Sequence, residues 1–187
     1  MPPSFILASR SPRRREMLIA AGFDFEVAWP IEEANHAFTG LSPAELVLAQ
    51  ARAKAASVAL THPQATVLAA DTVVAIEGRI LGKPADASQA EAMLASLSGA
   101  VHEVLTGFCL VQGRKELAAE VVQTEVEFRR LIPAEIKAYV AAGSPLDKAG
   151  AYGIQDLGGG LVRRISGSYT NVVGLPLAEV IEVLARV

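Results

Sequence analysis

The sequence predicts a mixed α/β protein, and three observations carry that prediction. Short apolar runs alternate with well-punctuated helices at both ends of the chain. Thr66-Val67-Leu68-Ala69-Ala70 is apolar without interruption, the pattern of a strand buried on both faces at the centre of an α/β sheet. Two long strand-like stretches, about Val101–Gln112 and Leu117–Phe128, fill the middle of the chain and mark an antiparallel section there. With 187 residues the chain makes one domain or two intimately joined lobes. It is long enough to fold around its own core without a disulfide or zinc staple.

The elements follow in order. Phe5-Ile6-Leu7-Ala8 reads as a first strand, after which Ser11 caps a helix with Pro12 at its first position and Gly22 ends it. Phe23, Phe25 and Val27 alternate with Asp24, Glu26 and Ala28 as a half-buried strand. Ser42-Pro43-Ala44-Glu45 is a capping box opening a helix to about Leu60. The strand from Thr66 is expected to end at Asp71, and Val73–Ile76 and Arg79–Leu81 flank Glu77-Gly78 as a small hairpin. A second capping box, Ser88-Gln89-Ala90-Glu91, starts a helix that stops near Ser98-Gly99. After the two long strands come a helix from Pro133 to Ala142, a glycine-rich loop, a strand at Leu161–Ile165 and a final helix at Leu177–Ala185.

Composition narrows the function. Seventeen basic against 20 acidic residues leave a net charge of −3, whereas a general nucleic-acid binder is normally basic. Cys109 is the only cysteine, which excludes a disulfide framework and a cysteine-cluster metal site. No apolar run approaches the roughly 18 residues of a membrane span. Arg10, Arg13, Arg14 and Arg15 precede the first acid, Glu16, as in a transit peptide, but Phe5–Ala8 is too short for a signal core. A soluble, cytoplasmic protein is the expectation.

Four segments place polar residues at the ends of apolar strands, where α/β sheets bind ligands. Ser9-Arg10-Ser11-Pro12-Arg13-Arg14 joins two hydroxyls, a helix N-terminus and guanidinium forks, which suits a phosphate; a capped helix with solvated arginines is the plainer alternative. Asp71, followed by Thr72, either holds a metal, acts as a general base or caps a turn. Gly82-Lys83-Pro84 holds a lysine between two backbone restrictors, an ordinary exposed turn when taken alone. Pro145 to Asp156 packs acids, a lysine, a tyrosine and Gln155 among glycines, and Gln155 has the donor and acceptor to pair with a base edge. Glu32-Glu33 is either a metal or base site or an acidic turn. His36, His62 and His102 lack metal-ligand spacing and read as surface or turn residues, Cys109 as a small core residue, and Trp29 and Tyr169 as packing anchors.

Taken together, these segments resemble the Maf family of nucleoside triphosphate pyrophosphatases. The resemblance rests on Leu7-Ala8-Ser9 with Ser11-Pro12-Arg13-Arg14, Ala70-Asp71-Thr72-Val73, Gly82-Lys83-Pro84, Met93-Leu94, Leu97-Ser98-Gly99, His102 and Thr106-Gly107. It continues through Asp147 to Gln155, Ser168-Tyr169 and Asn171 to Leu177, in order along nearly the whole chain. Arg10, Ser144 and Asp156 depart from the usual pattern.

The resemblance implies residues 1–187 as a single Maf-like domain, two lobes of one mixed sheet with flanking helices and a central cleft, similar to inosine triphosphate pyrophosphatases. It implies hydrolysis of a nucleoside triphosphate to the monophosphate and pyrophosphate, with Mg²⁺ or Mn²⁺ and often a homodimer. Asp71 would be the general base or hold the attacking water. Ser9, Arg13, Arg14, Lys54 and Lys83 would bind the phosphates, and Glu32 and Glu33 would join Asp71 at the metal. Arg13, Thr72 and Gln155 match the members acting on dTTP and UTP; the sister group favouring 7-methyl-GTP has tryptophan at the position of Arg13. Two rivals stand beside this reading: the same hydrolysis directed at another or a modified base, and a nucleotide-binding regulator of cell division without turnover.

Overall fold

The structure is a computed structural model, and it describes residues 5–30, 38, 40–142, 145–155 and 157–186. Seven strands and six helices occur among them: β1 (Phe5–Ala8), α1 (Pro12–Ala20), β2 (Phe25–Ala28), α2 (Pro43–Ala59), β3 (Thr66–Ile76), β4 (Arg79–Leu81) and α3 (Ala87–Leu97). Then come β5 (Val101–Gln112), β6 (Lys115–Phe128), α4 (Pro133–Ala142), β7 (Val162–Ser166), α5 (Tyr169–Val173) and α6 (Leu177–Leu184). The strand order is β2-β1-β3-β5-β6-β7, with β4 paired to β3. β1 pairs in parallel with both β2 and β3, whereas β3–β4 and β6–β7 are antiparallel, so the sheet is mixed.

Most boundaries follow from local chemistry. Ser11 accepts from Arg14 N and Pro12 sits in the first turn of α1, while Gly22, just past its end, takes φ +82°. Ser42 and Glu45 make the reciprocal capping box expected for α2. Glu77 and Gly78 both take positive φ, 50° and 75°, the backbone that a two-residue hairpin requires.

Several expectations need correction. The strand through Thr66 does not stop at Asp71 but runs on to Ile76, because β4 supplies Val74, Ala75 and Ile76 with ladder partners. The cap of α3 is Asp86, which accepts from Gln89 N, so Ser88 and Glu91 lie inside the helix. β2 begins at Phe25, and Val27 is exposed rather than inward. β7 begins one residue later than expected, at Val162, and the short α5 was not anticipated. The glycine-rich stretch folds into short 3₁₀ turns at Pro145–Asp147, Ala149–Ala151 and Leu157–Gly160.

The chain divides into two compact units. The first comprises Met1–Thr72, Thr106–Val122 and Gly174–Val187. Its core includes Ala51, Ala55, Val58 and Ala59 of α2 packed on Ile6, Ala8, Val67, Ala69, Cys109 and Val111 of three strands. Alanines spaced by four let α2 lie close to the sheet, and the approach is tightest at Gly107, where a Cβ would meet the Val47 carbonyl at 2.6 Å. The second unit comprises Val73–Leu105 and Gln123–Val173. Its core gathers Leu94 and Leu97 of α3, Val126 and Phe128 of β6, and Tyr139, Tyr152 and Leu161.

Candidate active site

The first unit assembles a polar cluster around Asp71. The β1–β3 register pairs Ala8 with Ala69, so Ser9, the next residue off β1, sits at the level of Ala70. Ser9 is buried, and its Oγ accepts from Ser11 N at 3.1 Å, which folds the chain tightly into α1. Arg13 follows as a half-buried residue of the first turn of α1.

Strand alternation sorts the β3 side chains. Val67 and Ala69 face α2, and Asp71 continues that row. Lys54 of α2 donates its Nζ to Asp71 Oδ1, and the two side chains are 34% and 17% exposed, so solvent still reaches the pair. Thr72 points to the opposite face. There the Arg14 guanidinium donates to Gly174 O at 2.7 Å, Ala70 O at 2.8 Å and Thr72 Oγ1 at 2.9 Å. Thr72 Oγ1 also lies 2.8 Å from Thr106 Oγ1. Burial pushes the Arg14 pKa below its ordinary value, the negative charge of Asp71 works against that shift, and Arg13 adds to it.

Ser9, Arg13, Arg14, Lys54, Asp71 and Thr72 therefore belong to one unit. Arg14 faces inward, with three of its N–H groups on protein acceptors. Lys54 meets Asp71 directly, a partnership that the sequence does not suggest because the two lie 17 positions apart. Lys83 and Gln155 belong to the second unit and are exposed. Glu32, Glu33 and His36 lie outside the described residues, as do Ser144 and Asp156. Among the described residues, no group of three or more His, Cys, Asp or Glu is placed to hold a metal ion.

His102 is not a surface residue. It is 1% exposed, with Nε2 2.8 Å from the Tyr152 hydroxyl and its ring nearly perpendicular to that of Phe128. Burial pushes its pKa down to about 4. Trp29 and Tyr169, expected as packing anchors, are instead exposed; the Arg10 guanidinium lies 5.6 Å from the Trp29 ring centroid. Cys109 is fully buried, as expected, and donates to Glu116, which pushes its thiol pKa up along with burial. Desolvation is the larger cause.

Fold and site together define an α/β protein with a carboxylate and an ammonium paired within β3 and α2, at the level where the parallel neighbour β1 ends in a serine turn. Comparison with known proteins makes the assignment particular: residues 4–187 match the family described as Maf-like protein, and the chain belongs to that family. It is 51% identical over 181 residues to a dTTP/UTP pyrophosphatase of Symbiobacterium thermophilum, covering 97% of this chain and 92% of that one. It is 50% identical over 189 residues to a dTTP/UTP pyrophosphatase of Anaeromyxobacter dehalogenans, covering 100% and 95%. A HAM1 protein from Coxiella burnetii shares the fold, with a TM-score of 0.52 at 17% identity over 98% of this chain and 99% of that one. No helix among the described residues is long and apolar enough to cross a membrane.

Proposed function

We propose that this protein is a nucleoside triphosphate pyrophosphatase that hydrolyses dTTP and UTP to the monophosphate and pyrophosphate. The observation that carries the reading is the Asp71–Lys54 pair beside the Ser9 turn, in a chain about half identical over its whole length to enzymes of that name. Pyrophosphate release requires an activated water and neutralised phosphate charge. Asp71 accepts the proton of the water, the water oxygen bonds to the α-phosphorus, and the bond from that phosphorus to the bridging oxygen breaks. Pyrophosphate leaves with the electron pair. Lys54, Arg13 and Lys83 offset the charge of the phosphate oxygens, and Ser9 adds a polar contact.

Mg²⁺ and Mn²⁺ are hard cations that take one or two carboxylates together with phosphate oxygens and waters. Asp71 would offer one such carboxylate, and Glu32 and Glu33 are the proposed additional ligands. The bound cation would screen phosphate charge. Thr72, Arg13 and Gln155 carry the pyrimidine preference, with Gln155 reading the O4 and N3–H edge of the base. A cytoplasmic homodimer is the assembly proposed with this activity.

The test is pyrophosphate release from a panel of triphosphates with Mg²⁺ or Mn²⁺, for wild type and Asp71→Asn side by side. Release from dTTP and UTP, reduced at least ~10²-fold in a folded Asp71→Asn, supports the reading. Release confined to 7-methyl-GTP or another base overturns the specificity. Tight nucleotide binding without release under either metal favours the regulator.

A further inference from the structure

Arg14 and Arg13 are adjacent in the Ser-Pro-Arg-Arg segment, yet their surroundings differ. Arg13 is half-buried, whereas Arg14 is 8% exposed and turned into the protein. Its acceptors are the carbonyl of Ala70 and the hydroxyl of Thr72, the two residues on either side of Asp71, together with the carbonyl of Gly174. We propose that Arg14 is a positioning residue for Asp71 rather than a ligand of the phosphates: its guanidinium holds the Ala70 carbonyl, which belongs to the peptide unit entering Asp71, and the side-chain hydroxyl of Thr72, the residue that follows it.

Three further features fit this task. Side chains alternate along a strand, so a clamp on residues 70 and 72 acts from behind and leaves the Asp71 face to Lys54 and the substrate. Thr72 Oγ1 is held from three sides: it accepts from Arg14, lies 2.8 Å from Thr106 Oγ1 on β5 and donates to Gly174 O at 3.3 Å. Gly174 adopts φ +125°, a backbone conformation that L side chains rarely take, and presents its carbonyl to both Arg14 and Thr72. A planar fork meets several acceptors in fixed directions at once, which a lysine ammonium at the end of a flexible stem does not do.

The proposal rests on Asp71 acting on the substrate, and its test separates the two claims. We would measure kcat and KM for dTTP, and the affinity for a non-hydrolysable α,β-imido analogue of dUTP, in Arg14→Lys, Arg13→Lys and Asp71→Asn. Positioning predicts that Arg14→Lys loses about 10- to 100-fold in kcat, as expected when a reacting group is misplaced by about an ångström. KM and analogue affinity then stay within about threefold of wild type, while Arg13→Lys raises KM and weakens the analogue. Arg14→Lys behaving like Arg13→Lys, or like wild type, overturns the proposal. An active Asp71→Asn removes the base and with it the target of positioning, and that failure shows in its own arm. If Arg14→Lys does not fold, Thr106→Val, which keeps the shape and deletes the hydroxyl that meets Thr72 Oγ1 at 2.8 Å, is judged by the same split of kcat from KM.

Discussion

Lys54 of α2 and Asp71 of β3 form an ion pair at the place where β3 passes from the apolar row of Val67 and Ala69 to polar residues. Both side chains keep some solvent access, at 34% and 17% exposure, so the pair adds at most about 1 kcal/mol to stability. In the proposed reaction the pair places charge beside the reacting phosphate. Lys54→Met should therefore unfold within about 1 kcal/mol of wild type in urea while losing ~10- to 10³-fold in kcat/KM for dTTP. Lys54→Arg, which keeps the charge, should lose less. Full activity in Lys54→Met would remove the residue from the site.

Gly107 tests the packing that brings α2, and with it Lys54, to the sheet. A Cβ there would meet the Val47 carbonyl carbon and oxygen at 2.6 Å and Leu48 N at 2.7 Å, all backbone atoms that cannot rotate away. Gly107→Ala should cost about 2–3 kcal/mol in urea unfolding, the range of an overpacked core. Nothing lies within 4 Å of a Cβ built on Gly82, so Gly82→Ala should remain within about 0.5 kcal/mol of wild type. Equal stability of the two variants would contradict this packing.

What the sequence discloses and what it hides divide by distance along the chain. Caps such as Ser11 and Ser42, and the Glu77-Gly78 hairpin, are local chemistry and were legible. Asp71 stands out in the sequence as the polar residue that closes an apolar run, but its place inside a strand is not legible there: such a residue closes the run whether or not the ladder continues, and here β4 continues it. The inward turn of Arg14 depends on acceptors 56 and 160 residues away, and the burial of His102 on a tyrosine 50 residues away. No local pattern encodes those partners. Trp29 misled for the converse reason, since a large aromatic ring normally signals a core and this one is 72% exposed.

Gln155 is exposed in the second unit, where an amide is available to a ligand without first breaking a buried contact. A side chain that reads a base edge adds to nucleotide affinity and leaves polyphosphate affinity alone. Gln155→Ala should raise KM for UTP by about 5- to 30-fold, the loss of one or two hydrogen bonds. The inhibition constant of tripolyphosphate, which has no base, should not change. A parallel rise in both would assign Gln155 to the phosphates.

His102 gives the fold a pH dependence whose sign can be worked out. In the folded protein desolvation lowers its pKa to about 4, and in the unfolded chain it titrates near 6.5. Its ring meets the hydroxyl of Tyr152, itself neutral because burial raises its pKa, and lies nearly perpendicular to the ring of Phe128, and desolvation by this burial is what disfavours the charged form. Below pH 6.5 the unfolded chain takes a proton that the folded protein refuses. This contribution to stability is fully present above pH 6.5 and is lost as the pH falls towards 4, reaching about 3 kcal/mol at the lower end. Carboxylates titrate in the same range, so the comparison must be made against a variant. His102→Gln, which has no proton to gain, should lose about 2–3 kcal/mol less than wild type between pH 7 and pH 4.5 in urea unfolding. Identical losses in the two proteins would mean that His102 is already protonated, or open to solvent, in the folded state.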